Sequence, residues 1–299
     1  MSARVRSQFG RFAVSLAALV PALLFAACAD SDPPLAPASE SAVKAPRVVS
    51  LNPCLDAILV ELAAPEQILA LSHYSHDASA SSIPQPIARQ FAITGGTAEE
   101  ILALEPDIVL ASSFIAPATK TALERLGLRV ETFGGARSLE ESVEQIGRLA
   151  ALMEREAEGR DLAASLSLDE PPAPTLPISA LLWQPGQLVA GEASLVSEHL
   201  RWAGFSNHAS AREAQQADYV SLESLIADPP DLVLIAGAER GQRHPMLERL
   251  EATMVAPFDV SLLYCAGPTI PRARQYLLEV RAQAERFQAE RARAKGPRG

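Results

Sequence analysis

Residues 99–110 read EEILALEPDIVL and residues 223–234 read ESLIADPPDLVL, nearly the same phrase at an offset of 124. Glu99/Glu223, Ala103/Ala227, Pro106/Pro230, Asp107/Asp231, Val109/Val233 and Leu110/Leu234 are identical, and three of the other six positions exchange one aliphatic side chain for another. Each copy predicts a helical turn or two, a Pro-Asp break, then a strand. Thr97 and Ser221 stand two residues earlier as N-caps, placing Glu99 and Glu223 at the second helical position. There the helix dipole favours a carboxylate by about 0.3–1 kcal/mol. Glu100, three residues after Thr97, closes a capping box and leaves Glu99 to point outward. Local structure thus explains the proline, the aspartate and the aliphatics, whereas the paired glutamates also admit a contact role.

Outward from these copies, two series of strands and helices emerge. Arg47–Asn52, Gln67–Ser72, Asp107–Ser112 and Leu128–Phe133 are β-rich, with helical spacing in Leu55–Ala63 and Ala118–Leu126. In the second series Ile178–Trp183, Asp231–Ile235 and Phe258–Tyr264 predict strands, and Ser194–Ala203, Leu222–Ala227, His244–Ala252 and Pro271–Arg293 predict helices. Buried strands alternating with helices imply parallel sheets, hence an α/β fold of two Rossmann-like lobes. Between them Val143, Ile146, Leu149, Leu152 and Met153 keep a helical period from Ser138 to about Leu166, which predicts one long connecting helix ended by the prolines of DEPPAPTLP.

The N-terminus carries Arg4, Arg6 and Arg11 before an apolar run that ends in Phe25-Ala26-Ala27-Cys28, the pattern of a secretory signal peptide. The small residues before Cys28 resemble a bacterial lipobox, with Phe25 where Leu is usual; ordinary secretion is the plainer alternative. Residues 29–46, rich in Pro, Ala and Ser, read as a flexible tether. The expected organisation is therefore signal peptide with lipobox 1–28, tether 29–46, N-terminal lobe 47–137, connecting helix 138–168 and C-terminal lobe 169–295. A net charge of -10 and the lack of a dense basic face argue against a nucleic-acid partner.

With Cys28 assigned to lipid, Cys54 and Cys265 remain, too few for a disulfide-built scaffold. Each follows a strand end, and they come from opposite lobes. Soft metal ligands, a disulfide in an oxidising compartment, and small residues in tight turns all stay open. In open α/β sheets ligands collect beyond the carboxyl ends of the strands. Those ends carry Asn52, Cys54, His73, Tyr74, Ser112, Ser113, Phe114, Trp183, Gln184, Tyr219, Tyr264 and Cys265. Aromatic residues gather there although the chain is only 5% aromatic, which suggests a pocket for something flat and partly apolar. His73-x-x-His76-Asp77 reads either as a metal clamp or, more simply, as a polar loop leaving a strand. His199 on an amphipathic helix, and His208 and His244 in loops, do not complete a bare-ion site.

The runs RVVSLNPCLDAILVELA, ILALSHYSHD, GGTAEEILALEPDIVLAS and SLESLIADPPDLVLIAG resemble the periplasmic substrate-binding proteins for iron complexes and vitamin B12, over about Arg47 to Phe287. The resemblance implies two α/β lobes joined by one long backbone helix, a ligand cleft between them and small lobe movements. It implies capture of a metal chelate, namely a ferric siderophore, haem or corrinoid, for an ABC importer, with no cofactor of the protein's own. It further implies that Glu99 and Glu223 pair with arginines of the permease, that Tyr74 contacts a corrin, and that the protein is periplasmic with membrane contact only through the lipid. Ala217-Asp218-Tyr219 stands where the vitamin B12-binding members place a tryptophan, and Cys265-Ala266-Gly267-Pro268 matches a Cys-Gly-Gly-Pro pattern of the family only in part.

The rival class is a periplasmic thiol- or metal-dependent enzyme, or a bare metal-ion carrier, using Cys54, Cys265 and His73. No G-x-S-x-G, H-E-x-x-H, P-loop or dinucleotide fingerprint occurs, and the two cysteines are 211 residues apart rather than in Cys-x-x-Cys. A purely structural lipoprotein is the third class, and the gathered aromatics with paired glutamates speak against it.

Overall fold

The computed structural model describes residues 45–294 except 170, 172, 213, 214 and 264. In the N-terminal lobe β1 (Val48–Ser50) leads through α1 (Pro53–Leu62) to β2 (Ile68–Ser72), α2 (Gln85–Ala88) and β3 (Ile93–Thr94). Then come α3 (Ala98–Ala103), β4 (Ile108–Ser112), α4 (Pro117–Arg125) and β5 (Val130–Phe133). The sheet runs β3-β2-β1-β4-β5, every pairing parallel. Successive side chains face opposite sides, so Val48 and Leu110 join one apolar cluster with α1, while Val49 and Val109 join another beside α3 and α4. The strand order reverses between β1 and β4, which places a crevice at their carboxyl ends.

Residues 138–166, expected as a single helix, are two: α5 (Leu139–Met153) and α6 (Glu156–Ser165). Glu154 caps α5 in the left-handed region at φ 56°, so the helical hydrogen bonding stops there. Gly159 lets α6 pack closely on α5: a Cβ at that position would lie 2.4 Å from Ala150 Cβ. The apolar period continues across the break because both helices pack on the same core, Ile146, Leu149 and Met153 from α5 and Leu162 from α6.

The C-terminal lobe contains β6 (Ser179–Trp183), β7 (Leu188–Ala190), α7 (Leu195–Trp202), β8 (Ser206–Asn207), β9 (Ala217–Tyr219), α8 (Leu222–Ala227), β10 (Leu232–Ala236) and β11 (Met254–Phe258). Its sheet runs β11-β10-β6-β7-β9, with β8 also on β6. The β6/β7 and β7/β9 pairings are antiparallel, a departure from the all-parallel expectation. Two further expectations shift. The segment 244–252 forms a short 3₁₀ turn at Leu247–Arg249 rather than an α-helix. The last strand is Met254–Phe258, not Phe258–Tyr264. Its Pro257 is tolerated because β11 is an edge strand, where a missing N–H breaks no ladder.

The long helix of the molecule is α9 (Thr269–Ala294). Ile270 in its first turn packs into the N-lobe cluster, and Arg272 donates to Ser82 O at 3.0 Å. Farther along, Ala273, Leu277, Val280 and Ala284 fill the C-lobe core. The helix that ties the lobes together is thus C-terminal rather than central. Among the described residues no helix is long and apolar enough to cross a membrane.

Both repeat copies keep the offset of 124: α3 and α8 begin at residues 98 and 222, β4 and β10 at 108 and 232. Thr97 Oγ1 accepts from Glu100 N and Ser221 Oγ from Ser224 N, the expected N-caps. The Glu100 carboxylate turns back to accept from Thr94 Oγ1 and Gly95 N. The aspartates also have a shared task. Asp107 Oδ2 accepts from Arg47 N at 2.7 Å, and Asp231 Oδ2 from Ser179 N at 2.9 Å. In each lobe the Pro-Asp aspartate therefore satisfies the backbone donor at the start of the neighbouring strand, β1 or β6.

Candidate functional site

The cleft floor is built where β1 hands over to α1. Asn52 caps that helix, its Oδ1 accepting from Cys54 N at 2.9 Å. Cys54, in the first turn, is bonded to Cys265 from the other lobe, with Cα atoms 5.0 Å apart. Of the three readings open for these cysteines, the disulfide is the one present. It does not fit the rival readings that need Cys54 and Cys265 as thiolate ligands or nucleophiles. Gly267 follows at φ +70°, and a Cβ there would press to 3.1 Å on Ile58 of α1, so glycine suits both the turn and the close approach. A cavity of about 60 Å³ opens here, lined by Asn52, Cys54, Gly134, Gly135, Gln145 and Cys265. Beside it, on the β5-to-α5 loop, lies a more open one of about 360 Å³ with Arg137, Glu141 and Arg148.

Hydrogen bonds stitch the lobes around this floor. Gly267 N donates to Ser142 Oγ at 2.9 Å. Glu198 of α7 accepts from Leu139 N at the head of α5 and pairs with Arg274 of α9 at 2.7 Å. A carboxylate at a helix N-terminus is favoured by the dipole. Arg274 Nε also reaches His199 Nδ1 at 3.4 Å. Burial first, then the adjacent Arg274 charge, pushes His199 down to about 3, so it stays neutral.

On the N-lobe rim, Ser72 and Ser75 are buried while His73 and Tyr74 between them face solvent, their ring centroids 4.0 Å apart. Asp56, fully buried on α1, accepts from Ser72 N, Ser72 Oγ and Ser75 Oγ at 2.9, 2.7 and 2.6 Å. Burial pushes its carboxyl up to about 6 against the pull of hydroxyls from Ser50, Ser75 and Ser72. Ser112 Oγ accepts from Phe114 N, turning Ser113 and Phe114 out at the end of β4. In the C-terminal lobe Tyr219 ends β9, exposed.

The structure therefore brings Asn52, Cys54 and Cys265 together and sets His73, Tyr74, Ser112, Ser113, Phe114 and Tyr219 at strand ends. Trp183 is a correction. It is 1% exposed, points with Leu181 into the core under α8, and donates its indole N–H to Val220 O. Strand alternation decides this, since Ala180 and Leu182 take the opposite face. Gln184 closes the turn after β6, its N–H bonded to Leu188 O. Tyr264 and Cys28 lie outside the described residues. The loop reading of His73-x-x-His76-Asp77 fits: His76 Nε2 meets Ala88 O and Phe91 O, and Asp77 caps Ser79 N. Among the described residues no cluster of three His, Cys, Asp or Glu could hold a metal ion. Glu99 and Glu223 are both exposed, on α3 and α8.

Sequence reasoning passed over Gly134, Gly135, Gln145 and Asp56. Asp56 carried a usable signal, a lone acid on the otherwise apolar inner face of PCLDAILVEL.

Three comparisons bear on this geometry. Residues 48–256 match a family model described as periplasmic binding protein. A cobalamin-binding protein of Halobacterium salinarum is 26% identical over 227 residues, covering 72% of this chain and 58% of that protein. The chain thus spans less than two thirds of the length of the curated relatives it matches. Among solved structures, the periplasmic heme-binding protein HutB of Vibrio cholerae superposes at TM-score 0.65 with 19% identity over 78% of this chain and 98% of that one. The vitamin B12-binding protein BtuF of Vibrio cholerae does so at 0.62 with 19% identity, over 81% and 98%. At that identity the two structures speak for the fold alone. The family model, by contrast, takes in more than two thirds of the 299 residues: the chain belongs to the periplasmic binding protein family.

Proposed function

We propose that the protein captures a flat, partly apolar metal chelate, a ferric siderophore, haem or corrinoid, and delivers it to the permease of an ABC importer. One observation carries the reading. Tyr74, Phe114 and Tyr219, drawn from both lobes, leave 47%, 88% and 67% of their surface exposed at strand ends. Rings left exposed at strand ends offer a binding surface, and a conjugated macrocycle or catecholate has faces to stack on them. The cavity between the cysteines is far smaller than the roughly 300–1,000 Å³ of an enclosing ligand pocket. The chelate therefore lies on the exposed rings rather than inside that cavity. The curated relative named for cobalamin supports this ligand class.

Glu99 and Glu223 serve as the docking pair, one on each lobe at equivalent helical positions. A hydrogen bond to its own backbone, then Ser221, holds Glu223 below the usual carboxylate range, so it stays charged at periplasmic pH. Charges of this kind steer and orient a partner more than they add affinity. Cys28, lipidated, would tether the protein to the membrane.

The test is uptake in vesicles carrying the cognate permease, with cyanocobalamin, hemin and a ferric tris-catecholate as probes. Glu99→Ala with Glu223→Ala leaves probe affinity within about two-fold while uptake falls about ten-fold or more. Affinity lost together with uptake places the glutamates in the pocket and overturns the docking assignment. The spectrum and mass of any molecule that copurifies identify the chelate.

A further inference from the structure

We propose that Asp56 is a positioning residue for ligand capture: its buried carboxylate sets the turn that presents His73 and Tyr74 to the cleft. The proposal rests on the chelate-binding reading and adds to it the part that orients the recognition rings. The turn reads Ser72-His73-Tyr74-Ser75, and its burial alternates inside, out, out, inside. Both inner residues are tied to one atom, Asp56 Oδ2, through two hydroxyls and a backbone N–H. The two outer residues carry the rings. Bonds to an ionised acceptor are roughly twice as strong as neutral ones, and three converging on a single oxygen leave the turn little freedom.

The far end of the turn is pinned separately. His76 Nε2 meets two carbonyl oxygens, and Gln85 Nε2 donates to Ser75 O at 3.0 Å. Asp56 is itself fixed with respect to the cleft floor, because Cys54, in the same first turn of α1, is bonded to Cys265. A continuous chain of contacts therefore runs from the floor through α1 to the two rings. A carboxylate with no cation beside it among the described residues is a costly way to fill an apolar helix face. For packing alone a neutral side chain would serve.

Asp56→Asn tests this, with Ser75→Ala as a milder variant should the first not fold. Two readouts are taken on the full protein. Hydrogen exchange of residues 73–77 is expected to rise about ten-fold in Asp56→Asn while β4 and β5 are unchanged. Affinity for whichever of cyanocobalamin, hemin and ferric tris-catecholate binds the wild type is expected to fall about ten-fold. Tyr74→Ala added on top then costs markedly less than it does alone. Unchanged exchange in the turn, or additive losses with Tyr74→Ala, overturns the proposal, since a merely structural Asp56 would not couple to that ring. If no probe binds the wild type, the chelate reading fails, and the exchange data alone still decide whether Asp56 sets the turn.

Discussion

The N-terminal lobe is an all-parallel sheet whose one fully buried acid, Asp56, faces hydroxyls; the C-terminal lobe mixes parallel and antiparallel strands and buries a base, His199, against Arg274. Yet the helix-strand unit at 98–112 and 222–236 is laid down in identical register in both. In both lobes the unit sets one exposed glutamate, Glu99 or Glu223, and one aspartate that anchors the central strand, β1 or β6. The inner polar residues diverge with the task of each lobe. On the N-lobe side they brace a rim that carries two rings, and on the C-lobe side they brace the seam through Glu198 and Leu139.

The seam is where this comparison breaks most easily. The Cys54–Cys265 bond closes a separation of 211 residues, and chain entropy for a loop of that length puts its contribution on the order of 5 kcal/mol. Cys54→Ser with Cys265→Ser, or dithiothreitol on the wild type, should lower the urea midpoint strongly; an unmoved midpoint would mean that noncovalent contacts alone bind the lobes.

Acid separates the lobes next, with opposite signs. Asp56 has a folded value near 6 against 3.8, so it favours the fold below 3.8 and loses that as pH rises through about 6, a cost of about 3 kcal/mol at neutrality. His199, depressed from 6.5 to about 3, stabilises above 6.5 and loses that as pH falls. Urea unfolding between pH 4 and 7 should therefore lose its acid-side decline in His199→Gln and its loss toward neutrality in Asp56→Asn. Curves unchanged in shape would refute both assignments.

A smaller contrast sits in the Pro-Asp pair. Asp231 accepts from Ser179 N and Oγ and also from Gln288 of α9, whereas Asp107 is exposed and accepts from Arg47. Asp231→Ala should cost about 1–3 kcal/mol and Asp107→Ala about 1 or less. Equal losses in denaturant titrations would show that the two aspartates are worth the same despite their surroundings.

The twelve-residue repeat made the two-lobe α/β plan legible, because Pro-Asp punctuation and aliphatic runs are set locally. The break at Glu154 was not, since α5 and α6 pack on one core and keep a single apolar period through the turn. Only Gly159 hinted at close helix contact. Trp183 was misplaced because a strand end was read without its alternation, which aims that ring inward. Pro257 hid β11, as an edge position that tolerates it cannot be read from one sequence. Asn52 and Cys54 were legible at the end of β1, whereas Cys265 lies well beyond β11, and Gly134 and Gln145 line the small cavity only through the tertiary path of the segment from β5 into α5.

Whether rings from both lobes hold a metal chelate is measured directly by equilibrium binding of cyanocobalamin, hemin and ferric tris-catecholate. One of the three should bind saturably at one site per chain. Tyr74→Ala, Phe114→Ala and Tyr219→Ala should each weaken it by about ten-fold, as the loss of about 1–1.5 kcal/mol of ring contact requires. If no chelate binds, or if one binds equally well to all three variants, the chelate does not lie on these rings and the proposed function is wrong.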